Sequence, residues 1–189
     1  MGHSFGQAPS LSARGGRCYG EAMSPDTTAE LTPNDLTHLR RCIALAEAAL
    51  AAGDEPFGSV LVDAGGTVRF EDHNHVAGGD ATQHPEFAIA RWAAEHLSPA
   101  ERAAATVYTS GEHCPMCSAA HGWVGLGRIV YVASAAQLSA WLTEWGAPPA
   151  PVAALPVQVV APEVPVSGPA HELTAEIRAL HARHRGIAR

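Results

Sequence analysis

The chain has 189 residues, 47% of them hydrophobic, which suits one well-buried domain and is too short for two. Its formal net charge is −7, and all 12 basic residues are arginines, with no basic run longer than Arg40-Arg41. This composition argues against a large nucleic-acid footprint, which would require a basic patch or stripe. No apolar stretch reaches the roughly 18 residues of a membrane span, and no signal peptide is recognisable, so we expect a cytoplasmic protein.

The chain divides into a tail and one folded unit. Residues 1–31 are rich in Gly, Ser, Ala and Pro and lack an apolar period, so we predict a disordered N-terminal tail. Residues 32–189 are predicted to form a single domain. Its first helix should be capped by Thr32, opened by Pro33 and ended near Gly53, because apolar residues recur between them at helical spacing.

The middle of the chain alternates between strand and helix patterns. Residues 59–62 and 68–70 are rich in β-formers and flank a turn sequence, which predicts an antiparallel hairpin. Two helix-then-strand units follow, with helices at 84–97 and 115–124 and strands at 106–109 and 128–132. This alternation predicts parallel pairing within an α/β sheet.

The C-terminal third is predicted to hold a helix at 135–145, a possible fifth strand at 157–160 and a closing helix at 169–184. Residues 147–151 form a Pro-rich connector between the first two of these, and we expect it to be stiff. Trp141 and Trp145 lie one helical turn apart. They belong either to the core or to a patch that a second copy of the chain covers.

Four residues carry the chemistry: His84, Glu86, Cys114 and Cys117. One imidazole and two thiolates fill three positions of a tetrahedral zinc ion and leave the fourth to water. Zinc lowers the pKa of such a water to about 7. Glu86 lies two residues from His84 and is predicted to be the proton shuttle between the water, a ring nitrogen and a departing amine. The remaining two cysteines form no disulfide framework.

With these motifs, residues 56–62 and 80–86, and Asn74, the chain resembles the cytidine deaminase-like superfamily. The resemblance runs from about residue 36 to 145 and is strongest to the branch of guanine deaminases and tRNA adenosine deaminases. It implies a three-layer α/β/α sandwich with a mixed sheet of about five strands, a Zn²⁺ cofactor and a homodimer. Two positions depart from the usual pattern. Pro85 replaces an Ala and suits the first turn of a helix, whereas His113 replaces a Pro.

The substrate contacts are less marked in the sequence. The resemblance gives Asn74 the role of hydrogen-bonding the base; the alternative is a turn residue. Phe57 either lines the pocket or packs in the core, and His113 either lines the pocket or bonds a backbone carbonyl. Glu144 is a candidate further acid near the substrate, or a solvated helix residue. His73 and His75 flank Asn74 and are expected to face away from it, as surface residues and not as ligands.

Four functions remain open on the sequence alone. The first is hydrolytic deamination of a small free nucleobase or nucleoside. Its favoured substrate is guanine or a related aminated heterocycle. The second is a tRNA adenosine deaminase, which the acidic composition disfavours. The third is a cytosine or cytidine deaminase, which would use the same catalytic residues. The fourth is a non-catalytic zinc module, which would normally require a fourth Cys or His ligand.

Overall fold

The computed structural model describes residues 30–187. The predicted tail at 1–31 therefore lies almost entirely outside the described residues. Five strands form one mixed sheet in the order β2-β1-β3-β4-β5. β1 pairs antiparallel with both β2 and β3, whereas β4 pairs parallel with β3 and with β5. The strands are β1 Gly58–Val62, β2 Val68–His73, β3 Thr106–Gly111, β4 Arg128–Ala133 and β5 Val166–Ser167.

Helices cover both faces of this sheet, which confirms the three-layer α/β/α architecture. α1 and α7 pack on one face with Val60 and Val62, and α2 packs on the other face with Leu61. Such alternation is expected of a strand buried on both sides. The helices are α1 Pro33–Ala52, α2 Pro85–His96, α3 Pro99–Ala104, α4 Pro115–Val124, α5 Ala135–Glu144, α6 Val157–Val160 and α7 His171–His184.

The start of α1 is tied to the sheet through Asp35. Asp35 and the N-cap Thr32 form a capping box, as the Thr-Pro start of the helix led us to expect. The buried Asp35 carboxylate also accepts hydrogen bonds from Tyr108 of β3 at 2.9 Å and Arg128 of β4 at 3.1 Å. Gly58 then allows α1 to approach β1, because a Cβ there would lie 2.4 Å from the Cβ of Leu45.

The predicted fifth strand at 157–160 is wrong. These residues form the single helical turn α6, and the fifth strand is instead Val166–Ser167, which pairs with β4. The β-branched residues of 157–160 favour a strand, but the side chain of Glu112 accepts the N–H of Val157 and caps a helical turn. α3 was also not predicted, although Ser98 and Glu101 form a capping box at its start.

The C-terminal third packs on the same chain. Trp141 is buried in the core with α1 and α7, and Trp145 packs against that core with Arg178 over its ring. These tryptophans therefore stabilise the protomer itself. Among the described residues, no helix combines the length and apolar character needed to cross a bilayer.

Candidate metal centre and active site

His84, Cys114 and Cys117 meet in one place. The Nδ1 atom of His84 lies 3.7 Å from Sγ of Cys114 and 3.6 Å from Sγ of Cys117, and the two sulfurs are 3.6 Å apart. The three donor atoms thus form a nearly equilateral triangle. The structure brings together all three ligands predicted from the sequence. His84 is 30 or more positions away from either cysteine along the chain.

Two helix starts build this triangle. His84 is the N-cap of α2 and Cys114 is the N-cap of α4, each followed by a proline at the first helical position. Neither side chain caps its own helix. Proline at this position costs no hydrogen bond, because the first N–H groups of a helix have no partner within it. Packing of α2 against α4 then places both side chains at the same end of the helix pair.

The triangle fits zinc. Tetrahedral zinc with bonds of about 2.3 Å to sulfur and 2.0–2.1 Å to nitrogen requires edges of roughly 3.8 Å between sulfurs and 3.6 Å between sulfur and nitrogen. The observed separations lie within about 0.2 Å of these values. Three protein donors leave a fourth position open, which is the pattern of a catalytic zinc and not of a structural one.

Glu86 lies beside the donor triangle and is buried. Its Oε1 atom accepts hydrogen bonds from the hydroxyls of Ser59 at 2.9 Å and Thr109 at 2.8 Å, and its Oε2 atom lies 3.7 Å from Sγ of Cys117. One oxygen is therefore fixed by two strands of the sheet while the other faces the donors. Burial raises the pKa of this carboxyl, although both hydroxyls and His84 act to lower it.

The two cysteines have different protonation properties. A hydrogen bond with the Cys117 side chain, together with His84 and the backbone N–H of Cys117, lowers the pKa of Cys114 to about 4, despite its burial. The same hydrogen bond raises the pKa of Cys117. A thiolate at the start of α4 is expected, since the N–H groups of the first helical turn stabilise negative charge.

A cavity of about 210 Å³ opens onto these residues. His84, Glu86 and Cys114 line one side and the ring of Phe57 lines another. The remaining wall is largely apolar and comes from α5 and the segment 147–155, which includes the Pro-rich connector. The prediction that Phe57 lies at the pocket agrees with this placement; its ring is held edge-on against His181, with centroids 5.0 Å apart.

Residues 32–133 match the cytidine and deoxycytidylate deaminase zinc-binding region, a segment that includes all three candidate ligands and Glu86. The chain belongs to this deaminase family. Zinc is therefore its cofactor, in agreement with the donor triangle.

Two curated relatives are named for deamination of different bases. The chain is 35% identical over 105 residues to a probable cytosine deaminase of Schizosaccharomyces pombe, covering 56% of this chain and 64% of the relative. It is 34% identical over 101 residues to a guanine deaminase of Bacillus subtilis, covering 53% of this chain and 65% of the relative. The chain thus matches slightly less than two thirds of the length of either relative.

A solved structure extends the likeness beyond the zinc-binding region. The guanine deaminase of Nitrosomonas europaea superposes with a TM-score of 0.62 over 87% of this chain and 94% of that one, at 20% identity. At this identity the likeness concerns the fold. It confirms the cytidine deaminase-like architecture through most of the described residues.

Asn74 acts as a turn residue in the structure and does not line the cavity. Its side chain is fully buried, and Oδ1 accepts the backbone N–H of Val76 at 2.9 Å, which is the role of a turn residue. Its Nδ2 atom has no hydrogen-bond partner among the described residues. A buried donor without a partner costs about 1–3 kcal/mol, so this amide group is a locally unfavourable feature of the loop.

Two residues that were predicted to contact the substrate, His113 and Glu144, do not line the cavity. His113 is buried against His121, with ring centroids 5.3 Å apart, and does not line the cavity. Burial, with a smaller effect of His121, lowers its pKa well below the ordinary value. Glu144 is exposed and ion-paired with Arg178 at 2.8 Å. Its position on the outer side of α5 is that of a solvated helix residue.

Three residues at the site were missed in the sequence. Ser59 and Thr109 orient Glu86, and polar residues within otherwise apolar strands were the signal that could have revealed them. Glu112 lines the cavity and accepts backbone N–H groups from both ends of the cavity wall, Ala135 at 2.8 Å and Val157 at 2.9 Å. Its position two residues before Cys114 was the only available hint.

Proposed function

We propose that residues 32–189 form a zinc-dependent aminohydrolase, in which water replaces an exocyclic amine on a small nucleobase and ammonia leaves. The observation that carries the proposal is the placement of Glu86. A buried carboxylate with one oxygen fixed by two hydroxyls and the other 3.7 Å from a metal-ligand thiol is arranged for proton transfer at the metal.

His84, Cys114 and Cys117 would hold the zinc ion. When bound, zinc supplies Lewis acidity that makes water a competent nucleophile near neutral pH. Glu86 accepts a proton from the attacking water and delivers it to the ring nitrogen next to the reacting carbon. It then carries the second proton to the amine as the carbon–nitrogen bond breaks. The raised pKa of Glu86, caused by burial, suits a group that must both accept and donate protons.

The cavity supports a small planar substrate. Its volume of about 210 Å³ is below the roughly 300–1,000 Å³ of pockets for drug-sized ligands. Phe57 lines the cavity and offers a ring face or edge for stacking. Asn74 does not line the cavity, so a hydrogen bond from its unpaired Nδ2 to the base would require movement of its loop. With the Bacillus subtilis guanine deaminase among the relatives, we propose guanine or a related aminated heterocycle as the substrate.

Cytosine is the second candidate. The probable cytosine deaminase of Schizosaccharomyces pombe is as similar to this chain as the guanine deaminase is, and both chemistries require the same catalytic groups. A tRNA substrate is less favoured, because the net charge is −7 and the chain has no lysine. A closed structural zinc site is disfavoured, because His113 does not join the three clustered donors. We expect a homodimer, as the family resemblance implies.

Ammonia release is the test. Zinc-loaded protein would be assayed with guanine, cytosine, adenine, their nucleosides and aminated triazines. Glu86→Gln keeps the shape of the side chain and removes its basicity, so turnover should fall at least about 100-fold while zinc content is unchanged. Glu95→Gln, an exposed residue of the same helix, is the matched control and should leave turnover intact. Equal activity of wild type and Glu86→Gln would exclude the proposed mechanism, and turnover of cytosine alone would exclude guanine.

A further inference from the structure

A second group of metal-ligating side chains lies outside the cavity. Asp72, His73 and His75 each offer one donor atom, and the three atoms all lie within 4.8 Å of one another. They sit at the end of β2, which is an edge strand of the sheet, and at the start of the following loop. The proposed deamination uses none of them.

The local backbone directs both imidazoles to one side. His73 is the last residue of β2 and His75 lies two residues further on, and their rings are 4.3 Å apart between centroids. Asn74, between them, turns inward and is fully buried. Asn74 is thus buried between a half-buried His73 and an exposed His75, and nothing in the sequence indicated that the two histidines converge with Asp72.

One histidine is already held in the form that binds metal. The Nδ1 atom of His73 lies 3.0 Å from the carbonyl oxygen of Asn74, which can only accept, so Nδ1 carries the proton. In the neutral ring, Nε2 then keeps the lone pair that a metal ion requires. Such a carbonyl partner on the second nitrogen fixes the tautomer and orientation of metal-binding histidines.

The other histidine already approaches the carboxylate. Nε2 of His75 lies 2.9 Å from Oδ1 of Asp72. Two ligands about 2.0–2.1 Å from an ion are separated by about 2.9 Å when the ion is octahedral and by about 3.3 Å when it is tetrahedral. An ion that replaced the shared proton would thus need little movement of these two atoms. Their side chains are 49% and 25% exposed, so solvent can complete the coordination shell.

We propose that Asp72, His73 and His75 form a second metal site, which binds a divalent transition-metal ion such as Zn²⁺ or Ni²⁺. Two imidazoles and one carboxylate are ligands that these ions accept, whereas Mg²⁺ and Ca²⁺ prefer oxygen alone. The site differs from the His84 centre in having no thiolate and in being open to solvent.

The second site connects directly to the first through the backbone. The N–H of His75 donates to the carbonyl of Gln83 at 3.0 Å, and Gln83 immediately precedes the zinc ligand His84. An ion held by Asp72, His73 and His75 therefore fixes the loop that carries Asn74 against the start of α2. A bound ion stabilises this loop, because it binds the three side chains only when folding has brought them together.

Metal stoichiometry tests the site without any activity assay. Tag-free protein would be incubated with ZnCl₂ or NiCl₂, passed through a desalting column and measured by elemental mass spectrometry. We expect two ions per wild-type chain, one for His73→Ala/His75→Ala, one for Cys114→Ser/Cys117→Ser and none when the four changes are combined. His96→Ala, which removes an exposed histidine elsewhere, should still hold two.

Two further measurements guard against misfolded variants. Asp72→Asn leaves both rings in place and should weaken binding of the second ion about tenfold or more in calorimetry. Ring-nitrogen NMR of the wild type should show Nε2 of His73 and His75 shifting with the second equivalent of Zn²⁺, while the ring of His96 does not respond. A single ion per wild-type chain, or two ions retained by His73→Ala/His75→Ala, would overturn the proposal.

Discussion

The Oε1 atom of Glu112 accepts the backbone N–H of Val157 at 2.9 Å, across 45 positions of the chain. Its second oxygen accepts the N–H of Ala135 at 2.8 Å. One carboxylate thus holds the starts of α5 and α6, and the chain between them forms the apolar wall of the cavity. Glu112 is therefore a positioning residue for this wall.

Glu112→Ala should loosen the wall and weaken substrate binding. Each hydrogen bond to a charged group contributes about 1.5–3 kcal/mol, so we expect KM to rise about tenfold or more with a smaller change in kcat. Limited proteolysis should also cut the segment 147–155 faster. Glu163→Ala, an exposed residue in the following loop, is the control and should change neither quantity. Unchanged KM and unchanged cleavage in Glu112→Ala would show that the wall holds its place without this carboxylate.

The hydroxyl of Thr109 should affect the chemical step, because it fixes Oε1 of Glu86 at 2.8 Å. Thr109→Val removes the hydroxyl and keeps the side-chain shape, so kcat should fall about 10-fold to 100-fold. Thr109→Ser keeps the hydroxyl and should retain most of kcat. The comparison is made by steady-state kinetics at saturating zinc. Equal loss in both variants would point to packing instead of the hydrogen bond.

Chelation of zinc should lower thermal stability as well as activity. An ion that binds only the folded state stabilises it by about 2.7 kcal/mol at 100 times its Kd, and 1 kcal/mol corresponds to about 2–4 °C in a chain of this size. We expect Tm to fall by at least about 5 °C with a strong chelator and to recover on addition of Zn²⁺. The measurement is best made in His73→Ala/His75→Ala, so that only the His84 centre contributes. A Tm that does not respond would mean that the three donors bind zinc weakly.

The sequence predicted the metal centre better than the walls around it. His84, Cys114 and Cys117 could be assigned because each lies at or near a helix start marked by a proline, and because their side-chain chemistry is specific to metals. Glu112 could not, because its partners are backbone N–H groups 23 and 45 positions away, which carry no mark in the sequence. The same hydrogen bonds explain the wrong strand at 157–160, since a distant cap overrode the β-propensity of its valines. Glu144 was considered on weak likeness alone, and its partner Arg178 is on another helix.

His181 should make stability depend on pH. Its ring is buried between Phe57 and Trp141, and burial, with smaller effects of His184 and Arg185, lowers its pKa to about 3. An unfolded chain binds the proton at a pKa of about 6.5, so the unfolded state holds more protons between pH 6.5 and 3. The contribution of His181 to the free energy of unfolding is therefore complete above pH 6.5 and declines as pH falls through this window, by at most about 1.4 kcal/mol per pH unit.

His181→Phe keeps an aromatic ring in the core and cannot titrate, so its stability should fall less steeply between pH 6.5 and 4 than that of the wild type. Urea unfolding at a series of pH values measures the slope. His171→Phe changes an exposed histidine at the start of the same helix and should retain the wild-type slope. Some acid sensitivity will remain in His181→Phe, because His113, His121 and Asp35 also have pKa values below their ordinary ones. Identical slopes in His181→Phe and the wild type would mean that the His181 ring gains access to water before the protein unfolds.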